Sequence, residues 1–315
     1  MVKILLCFIA LFSLTTVSAE EHPDKRAPFK KVVTVIFENA NPEEVFKQPM
    51  FRKIAREGAN FKNFHGLFHP SQPNYIAMTS GSNFIVTTDD VYNLDVKNIT
   101  NLLDDKHLSW KAYAENYPGG KDNCFTGASD GLYARKHVPF MSYDNIRETK
   151  KCNNIVNAQQ EFYRDVNHGR LPVYSFYVPN LINDGHDKGL GPANDFLEDF
   201  YYRVMKNRVV EDSDVLFILT FDENDTTDPD KYKVAANKIY TVFWGTMVKA
   251  TEVHEYYDHY NVLTTLEKHL KLKSLHLNDQ NSVAITDDIW KCRHHFEPWC
   301  KSEEANEDFD LETAN

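Results

Sequence analysis

The chain has 315 residues, 42% of them hydrophobic, which is enough for one large buried core; no Ser/Gly linker or repeat divides it, so one domain is expected. Its formal net charge of −11 excludes nucleic acid as a binding partner, because so acidic a surface repels a phosphate backbone. No apolar run reaches spanning length, which argues against stable membrane insertion.

Residues 1–19 combine Lys3, an apolar run over 4–12 and the small-residue stretch Val17-Ser18-Ala19 before Glu20. That pattern predicts a signal peptide and an exported chain, extracellular or held in a cell wall or vacuole. Cys7 leaves with it. Cys124, Cys152, Cys292 and Cys300 remain, an even set for an oxidising compartment that allows three pairings. Proximity in sequence favours Cys124–Cys152 and Cys292–Cys300. Residues 301–315 read as an acidic, solvated tail, leaving 20–300 as the folded domain.

Taken in order, residues 32–37 form the first near-continuous apolar run, ending in Glu38-Asn39. Residues 42–57 then show helical spacing, with Val45, Phe46, Met50 and Ile54 on one side and Gly58 as a stop. His69-Pro70-Ser71-Gln72-Pro73-Asn74-Tyr75 reads as a loop that stops at a helix start. Ser71 is expected as N-cap, its hydroxyl among unpaired amides at the positive end of the helix dipole, a place suited to a phosphate or an alkoxide. Residues 84–170 are polar and aperiodic, and are expected to form an inserted cap tied by a disulfide. Within them lies the sequon Asn98-Ile99-Thr100, and Asn98 is the favoured glycan site. The second sequon, at Asn224, falls inside an acidic motif.

Apolar runs at 173–178, 215–221 and 239–244 predict three more strands covered on both faces. Residues 194–208 and 260–270 have the spacing of amphipathic helices. Strands alternating with helices predict an α/β fold with a mostly parallel central sheet sandwiched by helices.

Ligands in such sheets bind at the carboxyl ends of the strands. There this chain delivers Glu38 and Asn39, then the stretch 179–187 containing Asp184 and His186, then Asp222, Glu223, Asn224 and Asp225. Carboxylates packed together require a cation or protons between them. Oxygen ligands such as Glu38, Asn39, Asp222 and Glu223 suit a divalent metal ion of the Mg, Ca or Mn kind, whereas added histidines favour Zn or Fe. Such a metal would lower the pKa of the Ser71 hydroxyl and aim it at phosphorus. Of the 13 histidines, His65, His69, His186 and His259 sit beside these motifs. His186, flanked by Asp184 and Asp187, is the first candidate to protonate a leaving group and His69 the second. His259, at a predicted helix start, is a candidate metal or phosphate ligand.

At these residues the chain resembles the phosphoesterase family that includes fungal secreted acid phosphatases and bacterial phospholipases C, within the alkaline phosphatase-like superfamily. The resemblance covers residues 32–271 and rests on Ile36-Phe37-Glu38-Asn39, on the stretch 69–75, on Tyr177-Val178-Pro179-Asn180 through His186-Asp187, and on Phe221-Asp222-Glu223-Asn224-Asp225. It implies a metal held by Glu38, Asn39, Asp222 and Glu223, with Ser71 a nucleophile that also touches it. His186 would contact the phosphate or act as acid, and Asn74, Asp184 and His259 are the candidate substrate contacts. Asp225 is followed by Thr226-Thr227-Asp228-Pro229, so the histidine that follows this motif in the phospholipase branch is missing. The implied activity is therefore that of a secreted acid phosphatase acting on small phosphate monoesters through a phosphoserine. The rivals are a phosphodiesterase or phospholipase C, and a non-catalytic secreted metal-binding protein.

Overall fold

In the computed structural model, residues 27–226 and 236–292 are described. Strands occur at β1 (Lys31–Phe37), β2 (Ala59–His65), β3 (Trp110–Ala114), β4 (Ser129–Asp130), β5 (Tyr133–Ala134), β6 (Ile155–Asn157), β7 (Tyr174–Val178), β8 (Val215–Phe221), β9 (Lys238–Trp244), β10 (Thr251–Val253) and β11 (Tyr257–Asp258). The main sheet has the order β10-β2-β9-β8-β1-β7-β3-β6, with β11 also on β2. All its pairings are parallel except those of β9, which runs antiparallel to both β2 and β8. The mostly parallel sheet is as expected, and all four apolar runs became strands. β7 and β8 are buried along their whole length, and β1 is buried after Lys31. Cover on both faces explains why these runs are continuous rather than alternating.

β1 and β8 pair in register from Lys31↔Val215 to Phe37↔Phe221. Glu38 and Asp222 therefore leave neighbouring strands at the same level. Beneath them Phe37 stacks on Phe221, with ring centroids 5.3 Å apart, and Phe51 meets both rings edge-on or tilted. Phe51 comes from the helix Pro49–Glu57. The expected helix 42–57 is two pieces, Pro42–Val45 and Pro49–Glu57, each opening on a proline whose absent N–H costs nothing there. The helix expected at 194–208 is Leu190–Phe200, followed by a wider turn, Tyr201–Met205, and a short helix Arg208–Glu211. The last expected helix is His259–His269.

The region 84–170 requires correction. It is not an insertion as a whole: β3 and β6 extend the main sheet, and the helix Ala158–Asn167 packs beside them. Their segments are too short and too mixed in polarity to read as buried strands. The part between β3 and β6 is the irregular cap, with the β4–β5 hairpin, several 3-10 turns and the Cys124–Cys152 disulfide (Cα–Cα 6.0 Å). Cys300, the signal segment 1–19 and the tail 301–315 lie outside the described residues, and so does the Cys292–Cys300 pairing.

Candidate active site

Ser71 opens the helix Ser71–Ser80, and Pro70 holds the cap position without any side-chain cap bond. The expected N-cap role is thus corrected. The serine hydroxyl turns away from its own helix, toward the ends of β1 and β8. Its Oγ lies 2.9 Å from Glu38 Oε2, 3.1 Å from Asn39 Oδ1 and 3.3 Å from Glu223 Oε1. A hydroxyl has one proton, so it can donate to only one of these three acceptors at a time. Asn39 Nδ2 donates to Glu223 Oε1 at 3.1 Å, which ties the two strand ends together.

Asp222 completes the cluster. It is fully buried, and both carboxylate oxygens lack a hydrogen-bond partner among the described residues. Burial, then the charges of Glu38 and Glu223, push its pKa well above the ordinary carboxylate range. Burial raises Glu223 too, against the opposing pull of His69, whose Nδ1 is in close contact with Glu223 Oε2. Asp184 is pushed up to about 7 by burial and by the Glu38 charge. Acceptors that converge with so few donors call for a positive charge among them. Among the described residues no group of three His, Cys, Asp or Glu side chains stands at metal-ligand spacing. The convergent set here includes the Asn39 amide and the Ser71 hydroxyl as well as the carboxylates. Its all-oxygen chemistry and the orphaned Asp222 oxygens fit a hard divalent cation.

Several predicted residues have other work. Asn74 is fully buried, and its amide holds the loop before Ser71. Its Oδ1 accepts from Leu67 N (2.8 Å) and Phe68 N (2.9 Å), and its Nδ2 donates to Phe68 O (2.9 Å) and Pro70 O (3.3 Å). It holds the loop that leads into Ser71, and both ends of its amide are taken up by backbone groups there. His259 is buried, lowered to about 4 by burial, and donates Nε2–H to the Asp222 carbonyl at 2.7 Å. It is a neutral brace for Asp222, not a phosphate ligand. His65 bonds Asn63 and stacks on Tyr256. His186 is half exposed, paired to Asp187 at 2.9 Å, with its backbone N–H on Asp184 Oδ1 at 3.1 Å. Asn98 is completely buried; it caps the helix Ile99–Asp105 and donates to Asn145, so the folded chain has no room for a glycan there.

Residues not singled out in the sequence also converge. Tyr75 donates its hydroxyl to Glu38 Oε1 at 2.6 Å, and His137, stacked on the Tyr75 ring, places Nε2 3.2 Å from the same oxygen. Burial lowers the His137 pKa, against the attraction of Glu38. Tyr75 falls inside the 69–75 motif one turn after Ser71, so helical spacing could have flagged it. His137 comes from the aperiodic cap and carries no such signal. Gly66 brings the loop after β2 against the site: a Cβ there would lie 2.7 Å from the Asp222 carbonyl oxygen. Glu115, at the end of β3, accepts from Tyr177 Oη, Asn180 N and Asn183 Nδ2, which holds the loop that leads to Asp184 and His186.

Comparison with known proteins bears on this arrangement. Residues 41–273 match a family model described as the Phosphoesterase family. A probable acid phosphatase of Kluyveromyces lactis is 33% identical over 274 residues, covering 82% of this chain and 63% of that protein. A phosphate-repressible acid phosphatase of Penicillium chrysogenum is 30% identical, covering 80% of this chain and 61% of that one. The chain thus spans about three fifths of the length of these curated relatives. A crystal structure of an alkaline phosphatase superfamily protein from Vibrio parahaemolyticus superposes with a TM-score of 0.52 at 12% identity, covering 84% of this chain and 72% of that one. That likeness is one of fold.

Proposed function

The chain belongs to the phosphoesterase family, and on that premise we propose that it is an exported acid phosphatase that hydrolyses small phosphate monoesters through Ser71. The observation that carries this reading is the Ser71 hydroxyl set among the oxygens of Glu38, Asn39 and Glu223 at the ends of two adjacent parallel strands. The acid phosphatases among its relatives support the reaction class. Export rests on the pattern of residues 1–19 and on the Cys124–Cys152 disulfide.

Glu38, Asn39, Asp222 and Glu223 would hold a divalent cation beside Ser71; when bound, it would offset their repulsion, favour the ionised serine and draw charge from the phosphoryl group. Ser71 Oγ passes its proton to a neighbouring carboxylate, with Glu38 Oε2 nearest at 2.9 Å, and bonds to phosphorus as the ester P–O bond breaks. The departing alcohol oxygen takes a proton from His186, with His69 as the second candidate. Water then attacks the phosphoserine opposite Ser71, returning a proton to the histidine. The Oγ–P bond breaks, Ser71 Oγ takes its proton back from the carboxylate that accepted it, and phosphate leaves.

The test uses an aryl phosphate monoester at acidic pH. Ser71→Ala should lose about 10³-fold or more in kcat. Its thermal midpoint should hold, because the hydroxyl caps no helix. Two in-line displacements retain configuration at a chiral phosphorus, and acid quench should trap phosphoserine on the wild-type protein. Inversion, or a fully active Ser71→Ala, would remove Ser71 from this role.

A further inference from the structure

The amides at a helix N-terminus are natural partners for phosphoryl oxygens, yet here one is already taken. Gln72 N, next to the nucleophile, donates to Asp89 Oδ1 at 2.9 Å. The other oxygen of that carboxylate, Oδ2, binds the Lys136 ammonium at 2.6 Å. Asp89 therefore docks a lysine against the first turn of the Ser71 helix.

A second route leads to the same place. Lys136 lies between Arg135 and His137 in the 3-10 turn Arg135–His137 of the cap. Arg135 is buried and donates to Thr126 O, Tyr92 O, Asn93 Oδ1 and Met141 O, at 2.7–2.9 Å, so the turn is firmly anchored. His137 reaches Glu38, the carboxylate nearest Ser71 Oγ. Lys136 is thus held on one side by its neighbour's contact with Glu38 and on the other by Asp89. It feels the site: burial lowers its pKa, but the Asp89 hydrogen bond and the charges of Glu38, Asp89 and Asp222 outweigh that and raise it. Its side chain keeps 33% exposure, and an ammonium bound to one carboxylate oxygen has two N–H donors left.

We propose that Lys136, tethered by Asp89, binds the third non-bridging oxygen of a phosphate monoester and so sets preference for monoesters over diesters. This rests on the phosphatase reading above. A monoester presents three non-bridging oxygens and a diester only two, the third being esterified and unable to carry charge. A cluster containing Glu38, Asp184, Asp222 and Glu223 repels that third oxygen unless a cation faces it. Lys136 supplies a partly exposed ammonium at the rim, whereas Arg135 next to it is spent on backbone carbonyls and Asn93.

The experiment compares p-nitrophenyl phosphate with bis(p-nitrophenyl) phosphate on the full chain, and adds a titration with inorganic phosphate. Lys136→Met should lower the monoester-to-diester ratio of kcat/KM about 30-fold, in line with loss of one charge-assisted hydrogen bond. Lys136→Arg should recover most of that ratio. Asp89→Asn, which loosens the tether but keeps the lysine, should lower it less, by about fivefold. Phosphate affinity should weaken about tenfold or more in Lys136→Met. If Lys136→Met fails to fold, Lys136→Gln and Asp89→Asn carry the same comparison. A ratio unchanged within about threefold, or equal losses on both esters, overturns the proposal. A wild-type protein inert toward both esters would sink the phosphatase reading alone. The phosphate titration then decides: binding lost with Lys136 supports this role, and equal or absent binding in both proteins overturns it.

Discussion

Both carboxylate oxygens of Asp222 are buried without a hydrogen-bond partner among the described residues, and its pKa is driven upward by burial and by Glu38 and Glu223. A buried, ionised carboxylate in that position costs several kcal/mol unless a cation neutralises it. Chelation of the metal-replete protein with EDTA should therefore abolish turnover and lower the thermal midpoint at pH 7 by about 5 °C. Asp222→Asn should remove most of that chelator sensitivity, because a neutral amide no longer needs the cation. Full activity and an unchanged midpoint after exhaustive chelation, with no metal detected, would sink the idea. The neighbouring braces act through geometry instead. His259 stays neutral and holds the Asp222 carbonyl, and Asn74 holds the loop that delivers Ser71. Both residue types were visible at suggestive positions in the chain. Their side chains were claimed by backbone groups only once the loops had folded.

The helix His259–His269 does more than brace Asp222. Its Glu267 is buried against Asp279, and burial first, then the Asp279 charge, push Glu267 up to about 8. Asp279 accepts from Leu275 N and Leu277 N and from the Ser274 hydroxyl, and Asn278 N next to it bonds the Gly81 carbonyl at the end of the Ser71 helix. Asp279 thus orders the segment after this helix, and Asn278 fastens it to the far end of the Ser71 helix. A carboxyl whose folded pKa exceeds its unfolded value binds more protons when folded, so stability falls as pH rises from about 4.5 to about 8. Glu267→Gln should flatten that fall and raise the midpoint at pH 8 by about 2–5 °C over wild type. Parallel melting curves for the two proteins from pH 5 to pH 9 would refute it. The same group favours an acidic working range for the fold.

Across the molecule, the ends of β1 and β8 supply the acceptors, while the cap brings His137 to Glu38 and Lys136 to Asp89. Lys136 and His137 both fall between the half-cystines of Cys124–Cys152, so the disulfide closes the segment that carries the proposed oxygen contact. Its sequence separation of 28 residues corresponds to about 3.5 kcal/mol of unfolded-state constraint in the chain-entropy picture. The double variant Cys124→Ser with Cys152→Ser should lose about 2–4 kcal/mol in urea unfolding and should erode monoester preference along with it. An unchanged unfolding midpoint would show that the cap is held by its other contacts, the buried Arg135 above all.

Much of this was legible from the chain. Four apolar runs became β1, β7, β8 and β9, because strands buried on both faces need uninterrupted apolar side chains whatever their neighbours are. Glu38, Asn39, Ser71, Asp222 and Glu223 could be picked out for a related reason. Polar residues directly after buried strands, and a serine at a helix start, mark local positions that hardly depend on distant contacts. Tertiary structure decided the rest, where the partner lies far away in sequence. The direction of β9 and the entry of β3 and β6 into the sheet depend on pairing across long connections. Asn98 reads as a surface sequon but caps a buried helix end, and Lys136 meets Asp89 across 47 residues without periodicity. Patterns along a chain report which side chains must be buried; they carry no record of which buried polar groups find one another, because that is set by the three-dimensional closure of loops.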